Sequence, residues 1–138
     1  MSQPKTHILV GRTITAVYLA EDETAIKFTT DAGEIVAKCR AECCSHTWVE
    51  HIDLPALGLP AVVVSAEEVE LHAELDTRGG ELEFYGFKIL TDRGELLIDY
   101  RNESNGYYGG SLVWPGDHFY GGVRGQNVSA GDWQQVVA

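Results

Sequence analysis

Apolar and polar residues alternate along most of this chain, and the period is that of strands rather than helices. Thr13 to Leu19 (TITAVYL) and Thr24 to Thr29 (TAIKFTT) are rich in β-branched and aromatic side chains and flank the polar turn AEDE. A period of two puts Ile26 and Phe28 on one face and Lys27 and Thr29 on the other. A second hairpin is expected at Asp31-Ala32-Gly33, before EIVAKC, because glycine supplies the positive φ of a short loop. TDAGE at 30–34 returns as TDRGE at 91–95, again between apolar-rich runs. Two hairpins with one turn chemistry account for that echo without any gene duplication. Further on, FYGFKIL at 84–90 groups Tyr85, Phe87 and Ile89. Leu96, Ile98 and Tyr100 form the next inward set, with Asp99, Arg101, Glu103 and Tyr108 opposite. Asn105-Gly106 is a strong signal for a type I′ turn. It predicts a last hairpin in which Tyr100 faces Ser111, Ile98 faces Val113 and Tyr107 points inward.

Other stretches read less regularly. Asp53-Leu54-Pro55 has the chemistry to cap a single helical turn, ended by Gly58 and Pro60. Ala61 to Leu71 (AVVVSAEEVEL) starts as a buried strand and turns acidic, and Thr77 to Gly80 is a loop. Beyond Pro115 the glycines at 116, 121, 122 and 125 break regular structure around Phe119 and Tyr120. That tail either presents aromatics for binding or wraps the sheet edge, with Trp114 and Trp133 as plugs. The expected fold is therefore mainly β, of α+β type. It is a small single domain over 1–138, built on antiparallel hairpins with at most one or two short helical turns. Residues 10–114 would form the core and 115–138 a Gly-rich extension.

A chain of 138 residues with 44% hydrophobic content is long enough for one buried core. No run approaches the roughly 20 apolar residues of a membrane span, and the start, MSQPKTHILVGR, lacks a signal peptide's apolar stretch. The odd cysteine count of three fits a reducing compartment, so a cytoplasmic protein is expected. A net charge of −11 repels phosphate backbones and anionic membranes and favours basic partners. The charge thus argues against direct nucleic-acid or membrane binding, although charge also serves plain solubility.

Cys43, Cys44, His46 and His51 carry metal-ligand chemistry within nine residues. Adjacent cysteines do not converge easily on one ion, and no CxxC pair follows, so buried thiols under the Trp48 strand are the plainer account. No nucleophile elbow, phosphate-cradling loop or selected carboxylate pair appears. The chain reads as a non-enzyme, and no cofactor is implied. The segment 67–83 is dense in carboxylates, with Glu68, Glu70 and Glu74 at strand or turn spacing. It forms either a solvated rim or a strip that attracts a basic surface.

Four pieces together, GRTITAVYLAEDETAIKFTTDAGE, ECCSHTWVEHI, FYGFKILTDRGELLIDY and ESNGYYGGSL, resemble a family of small uncharacterised domains common in phage genomes. The resemblance covers roughly 10–113 and is most specific at Cys43-Cys44 and Glu103 to Tyr108. Here His46 stands where an acidic or small polar residue is more usual, and a glycine-rich extension follows 114. The resemblance implies a phage or prophage origin and a compact antiparallel fold. It raises the expectation of a counter-defence protein that inhibits a host protein, such as a nucleic-acid-handling complex. Glu68, Glu70, Glu74, Tyr108, Phe119 and Tyr120 would then bind the partner. One alternative is a sponge for a nucleotide-derived signal, using Arg101, Tyr108, Trp114 and Arg124. Another is a structural homo-oligomer that pairs strand edges.

Overall fold

A computed structural model of the chain describes residues 7–41, 46–75, 81–104, 110–117 and 133–137, with backbone alone at 41, 70–75, 81–83, 104 and 110. Among the described residues there are nine strands: β1 (Thr13–Ala20), β2 (Ala25–Thr30), β3 (Gly33–Ala41), β4 (His46–Asp53), β5 (Ala61–Leu75), β6 (Glu81–Thr91), β7 (Gly94–Ser104), β8 (Gly110–Val113) and β9 (Trp133–Gln135). All pairings are antiparallel, in the order β4-β7-β6-β5-β1-β2-β3-β8, with β9 on the side of β1.

That order reads as two copies of one arrangement, related by an approximate two-fold at the pair Thr13↔Val62, where β1 meets β5. β1-β2-β3 and β5-β6-β7 are consecutive meanders, and each gains a fourth strand from beyond the other meander. β3 leads into β4, which joins β7, while β7 leads into β8, which joins β3. The repeated TD(A/R)GE turn supports the equivalence atom by atom. Thr30 Oγ1 donates to Gly33 O (2.7 Å) and accepts from Ala32 N (3.2 Å). Thr91 Oγ1 donates to Gly94 O (2.6 Å) and accepts from Arg93 N (3.1 Å). Asp31 brackets Thr13, with N donating to Thr13 O and Oδ1 accepting from Thr13 N, both at 3.1 Å. Asp92 brackets Val62 identically, at 3.0 and 2.8 Å. Both turn glycines have positive φ, +112° at Gly33 and +120° at Gly94. A Cβ would be strained at either.

The inward faces close on one core. Ile14, Val17, Ile26 and Phe28 come from the first meander, and Phe87, Ile89, Leu96, Ile98 and Tyr100 from the second. Trp114, just past β8, lies between them, 5.4 Å from the Phe28 ring and 5.0 Å from Phe87. The sheet curls until its ends meet: Val49 N of β4 donates to Glu23 O (2.8 Å), and the Thr47 hydroxyl lies 3.2 Å from Arg40 O of β3. Glu23 reaches this contact from a left-handed backbone (φ 64°) in the AEDE turn. Thr47 is also 2.9 Å from Asn102 Oδ1, and both side chains are buried.

Three expectations are corrected. β8 pairs with β3 (Lys38↔Val113, Cys39↔Leu112) rather than folding back on β7. Both edges of β7 are occupied by β4 and β6, so Tyr100 lies opposite Val49 and Tyr85, and Ile98 opposite Ile52 and Phe87. The turn residues Asn105 and Gly106, with Tyr107, lie outside the described residues. Asp53-Leu54-Pro55 starts no helix; a single turn closes from Gly58 N to Pro55 O (2.9 Å). Nor is the start of β5 buried on both faces, since Ala61 and Val63 point inward while Val62 and Val64 stand exposed. That is the pattern of an antiparallel sheet with one wet face. The C-terminal segment returns to the body as β9, where Tyr18↔Gln135 and Ala20↔Trp133 pair, and Val136 N donates to Val17 O (2.8 Å). No helix among the described residues is long and apolar enough to cross a membrane.

Candidate functional site

Charge is distributed unevenly between surface and cover. Among the residues whose burial is described, every Asp and Glu except Asp99 is exposed, and every Lys and Arg except Arg93 is at least partly covered. Several of these cations are held by a local partner. Lys27 Nζ sits 4.7 Å from the Tyr18 ring centre and 5.0 Å from that of Trp133, with Glu34 at 4.0 Å. Lys88 pairs with Glu95 at 3.3 Å. Arg93, though exposed, donates from Nε to Leu57 O at 3.1 Å. Exposed pairs of this kind contribute little to stability. Their consequence is electrostatic: the surface that a partner meets is dominated by carboxylates.

The outer face of β4-β7-β6 concentrates recognition chemistry. Arg101 on β7 lies opposite Trp48 of β4 and Phe84 of β6. Its guanidinium stacks 4.7 Å from the Phe84 ring centre, with Nη1 3.8 Å from Glu50 Oε1 and Nη2 3.5 Å from Asp99 Oδ2. Trp48 Nε1 donates to Glu50 Oε2 (2.8 Å), and His46 stacks on Trp48 at 5.2 Å and 20°. Alternation in HTWVEHID puts Thr47 and Val49 in the core and His46, Trp48 and Glu50 outside. A bulge at 49–51 keeps His51 on the outside as well. Arginine and tryptophan are the side chains most enriched at energetically dominant interface positions. Here they carry a rim of carboxylates: Glu50, Asp53, Asp99 and Glu103.

Glu67 of β5 adds to this acidic surface. Glu67 lies opposite Lys88, Glu70 opposite Tyr85 and Glu74 opposite Leu82. Glu68 reaches inward, and its carboxylate accepts a hydrogen bond from the Tyr100 hydroxyl. Tyr85 stacks on Tyr100 at 5.2 Å and 16°. Burial and the Glu68 charge push the Tyr100 phenol far above its ordinary range, so it stays a neutral donor. Burial likewise pushes the Cys39 thiol up to about 12, with Asp22 adding to the effect, which leaves it protonated.

The residues singled out from sequence do not form one group. Arg101 belongs to the outer face, whereas Trp114 is 4% exposed inside the core, against His7, Phe28 and Phe87. A ligand stacking on Trp114 would have to displace that core, and Arg101 is already matched by two carboxylates. Tyr108, Phe119, Tyr120 and Arg124 lie outside the described residues, as do Cys43 and Cys44. Of the remaining metal-ligand candidates, His46 is stacked on Trp48 and His51 Nε2 is 2.7 Å from Asp53 Oδ1. Among the described residues no group of His, Cys, Asp and Glu is arranged to hold a metal. Trp48, Glu50, Phe84 and Asp99 escaped notice as functional candidates. The period-two pattern sets the face of each strand, but only the β4–β7 and β6–β7 pairings bring Trp48, Glu50 and Phe84 to Arg101, beside which Asp99 already lies on β7.

A family model for a domain of unknown function, DUF7448, matches residues 7–114. No curated protein matches the chain. No solved structure matches it either.

Proposed function

Since the chain belongs to the DUF7448 family, a domain of unknown function, its role has to be read from its surface, and we propose that it is a non-catalytic binding protein for a basic partner. The observation that carries this reading is the outward carboxylate surface over cations that are already covered or bonded. Trp48, Phe84 and Arg101 supply contact area beside that charge. A partner with a lysine- and arginine-rich surface would be drawn in at long range, and the outer face of β4-β7-β6 would hold it at short range.

The resemblance of ECCSHTWVEHI and ESNGYYGGSL to phage-encoded domains extends the proposal. The protein would act in the host cytoplasm as an accessory factor that occupies a host protein's basic surface, such as the nucleic-acid groove of a defence complex. Capture from a bacterial lysate at low and at high salt tests the reading. Retention at low salt and release at high salt are expected. A triple variant, Glu50→Lys, Glu67→Lys and Glu103→Lys, should lose the partner at both. Full capture by that variant would overturn the proposal.

A further inference from the structure

The two meanders differ at one edge. On β1, the pairing with β5 covers Thr13 and Ile14, and β9 then covers Tyr18 to Ala20. On β5, the pairing with β1 ends at the equivalent place, with Val63 N donating to Arg12 O and Gly11 N to Val63 O (both 2.9 Å). From Val64 to Leu75, β5 pairs only with β6 among the described residues. The same distance past the shared pair lies Glu67, where the first meander carries its added strand and the second carries none among the described residues. An unpaired edge of this length is a template for another strand.

We infer that the Val64–Leu75 edge of β5 receives an extended basic segment of the partner as an antiparallel strand, in the place that β9 takes on β1. This rests on the reading of the protein as a binder of basic partners and names where and how that partner docks. Charge selects the occupant. A second copy paired through the same edge would bring together two strands with four glutamates each between 67 and 74, and like charges on neighbouring strands repel. A strand bearing lysine or arginine meets them with complementary charge, while exposed Val64 (57%) offers an apolar contact at the start of the edge. Main-chain hydrogen bonds would supply the docking, and the glutamates the choice of partner.

The test uses the full chain and an acetylated eight-residue peptide of alternating lysine and valine, labelled for fluorescence anisotropy at low salt. The comparison peptides are the same sequence methylated on every backbone nitrogen and an alternating glutamate–valine peptide. Binding of the lysine peptide is expected, with at least tenfold loss on methylation, severalfold loss for Glu67→Lys, and no binding of the glutamate peptide. Hydrogen exchange should show new protection confined to β5 amides between 64 and 75. Equal affinity of the methylated peptide, or protection elsewhere, would overturn strand addition while leaving the acidic-binder reading standing. Edge amides already protected in the free protein, or a dimer in light scattering that the peptide does not dissociate, would overturn it as well. Failure of every basic peptide to bind would overturn both.

Discussion

The β1-β2-β3 and β5-β6-β7 meanders share a topology, a turn and a core, yet they differ in reach. Their strands run 8, 6 and 9 residues in the first and 15, 11 and 11 in the second. Short strands end where the shared core ends. The longer ones continue past it, and their extra length carries Glu70 and Glu74 of β5 and Phe84 of β6, whose ring meets Arg101. The comparison teaches that one arrangement can be divided in use. The half whose β1 edge is covered by β9 completes the body, and the half with the extended β5 edge presents chemistry.

If that division is right, the residues joining the halves should matter most for stability. Trp114 touches Phe28 of one meander and Phe87 of the other, so Trp114→Ala should cost about 3–5 kcal/mol. Trp133 on β9 is only half-buried, over Lys27, so Trp133→Ala should cost much less. Urea unfolding of the two variants checks the order. Equal losses would mean that the tail strand is as central as the core bridge.

The turns sharpen the comparison further. Gly33→Ala and Gly94→Ala both force a side chain into a positive φ, at about 1–2 kcal/mol each. At Gly33 a Cβ would meet open space, whereas at Gly94 it would lie 3.1 Å from the backbone nitrogen of Ala56. The turn at 55–58 packs over the second hairpin, and no described residue approaches the first in this way. Gly94→Ala should therefore lower the urea midpoint clearly more than Gly33→Ala. Matching midpoints would show that the Ala56 loop yields freely.

Much of this fold was legible because local rules decide it. The hairpins at Gly33 and Gly94, the inward sets Ile26/Phe28 and Leu96/Ile98/Tyr100, and the charged face of Asp99 and Arg101 all follow from period two and turn chemistry. The pairing of β8 with β3 was not legible. Asn105-Gly106 carries a strong local preference for returning on β7, but β4 and β6 occupy both β7 edges, and β8 pairs with β3 instead. The site was legible in composition but not in position. The acidity and Arg101 were visible, while Trp48 and Glu50 become its neighbours only through pairing across more than fifty residues of chain, and Phe84 through the β6–β7 hairpin. Trp114 was open to two readings, a ligand-stacking ring or a plug, and the ring fills the seam between the meanders as a plug does.

The smallest expected effect belongs to His7, which leans on that seam. Its ring lies 4.5 Å from Trp114 and 5.1 Å from Phe87, and Nδ1 accepts from Leu9 N at 3.1 Å. The proton of the neutral ring is then on Nε2, which is buried without a partner among the described residues. Burial lowers the His7 pKa below its usual 6.5, and Asp117 offsets this only in part. Above 6.5 the ring is neutral in both folded and unfolded chains, so His7 adds no pH dependence there. As pH falls below 6.5 the unfolded chain takes up a proton that the folded one resists, and stability declines. One proton sets a ceiling of about 1.4 kcal/mol per pH unit, and solvent reaching part of the ring keeps the effect well under it. His7→Phe preserves the ring contacts and removes the titration. Between pH 7.5 and 5.5 the wild-type urea midpoint should drop more than that of the variant. Parallel curves would mean that acid weakens the seam through another group.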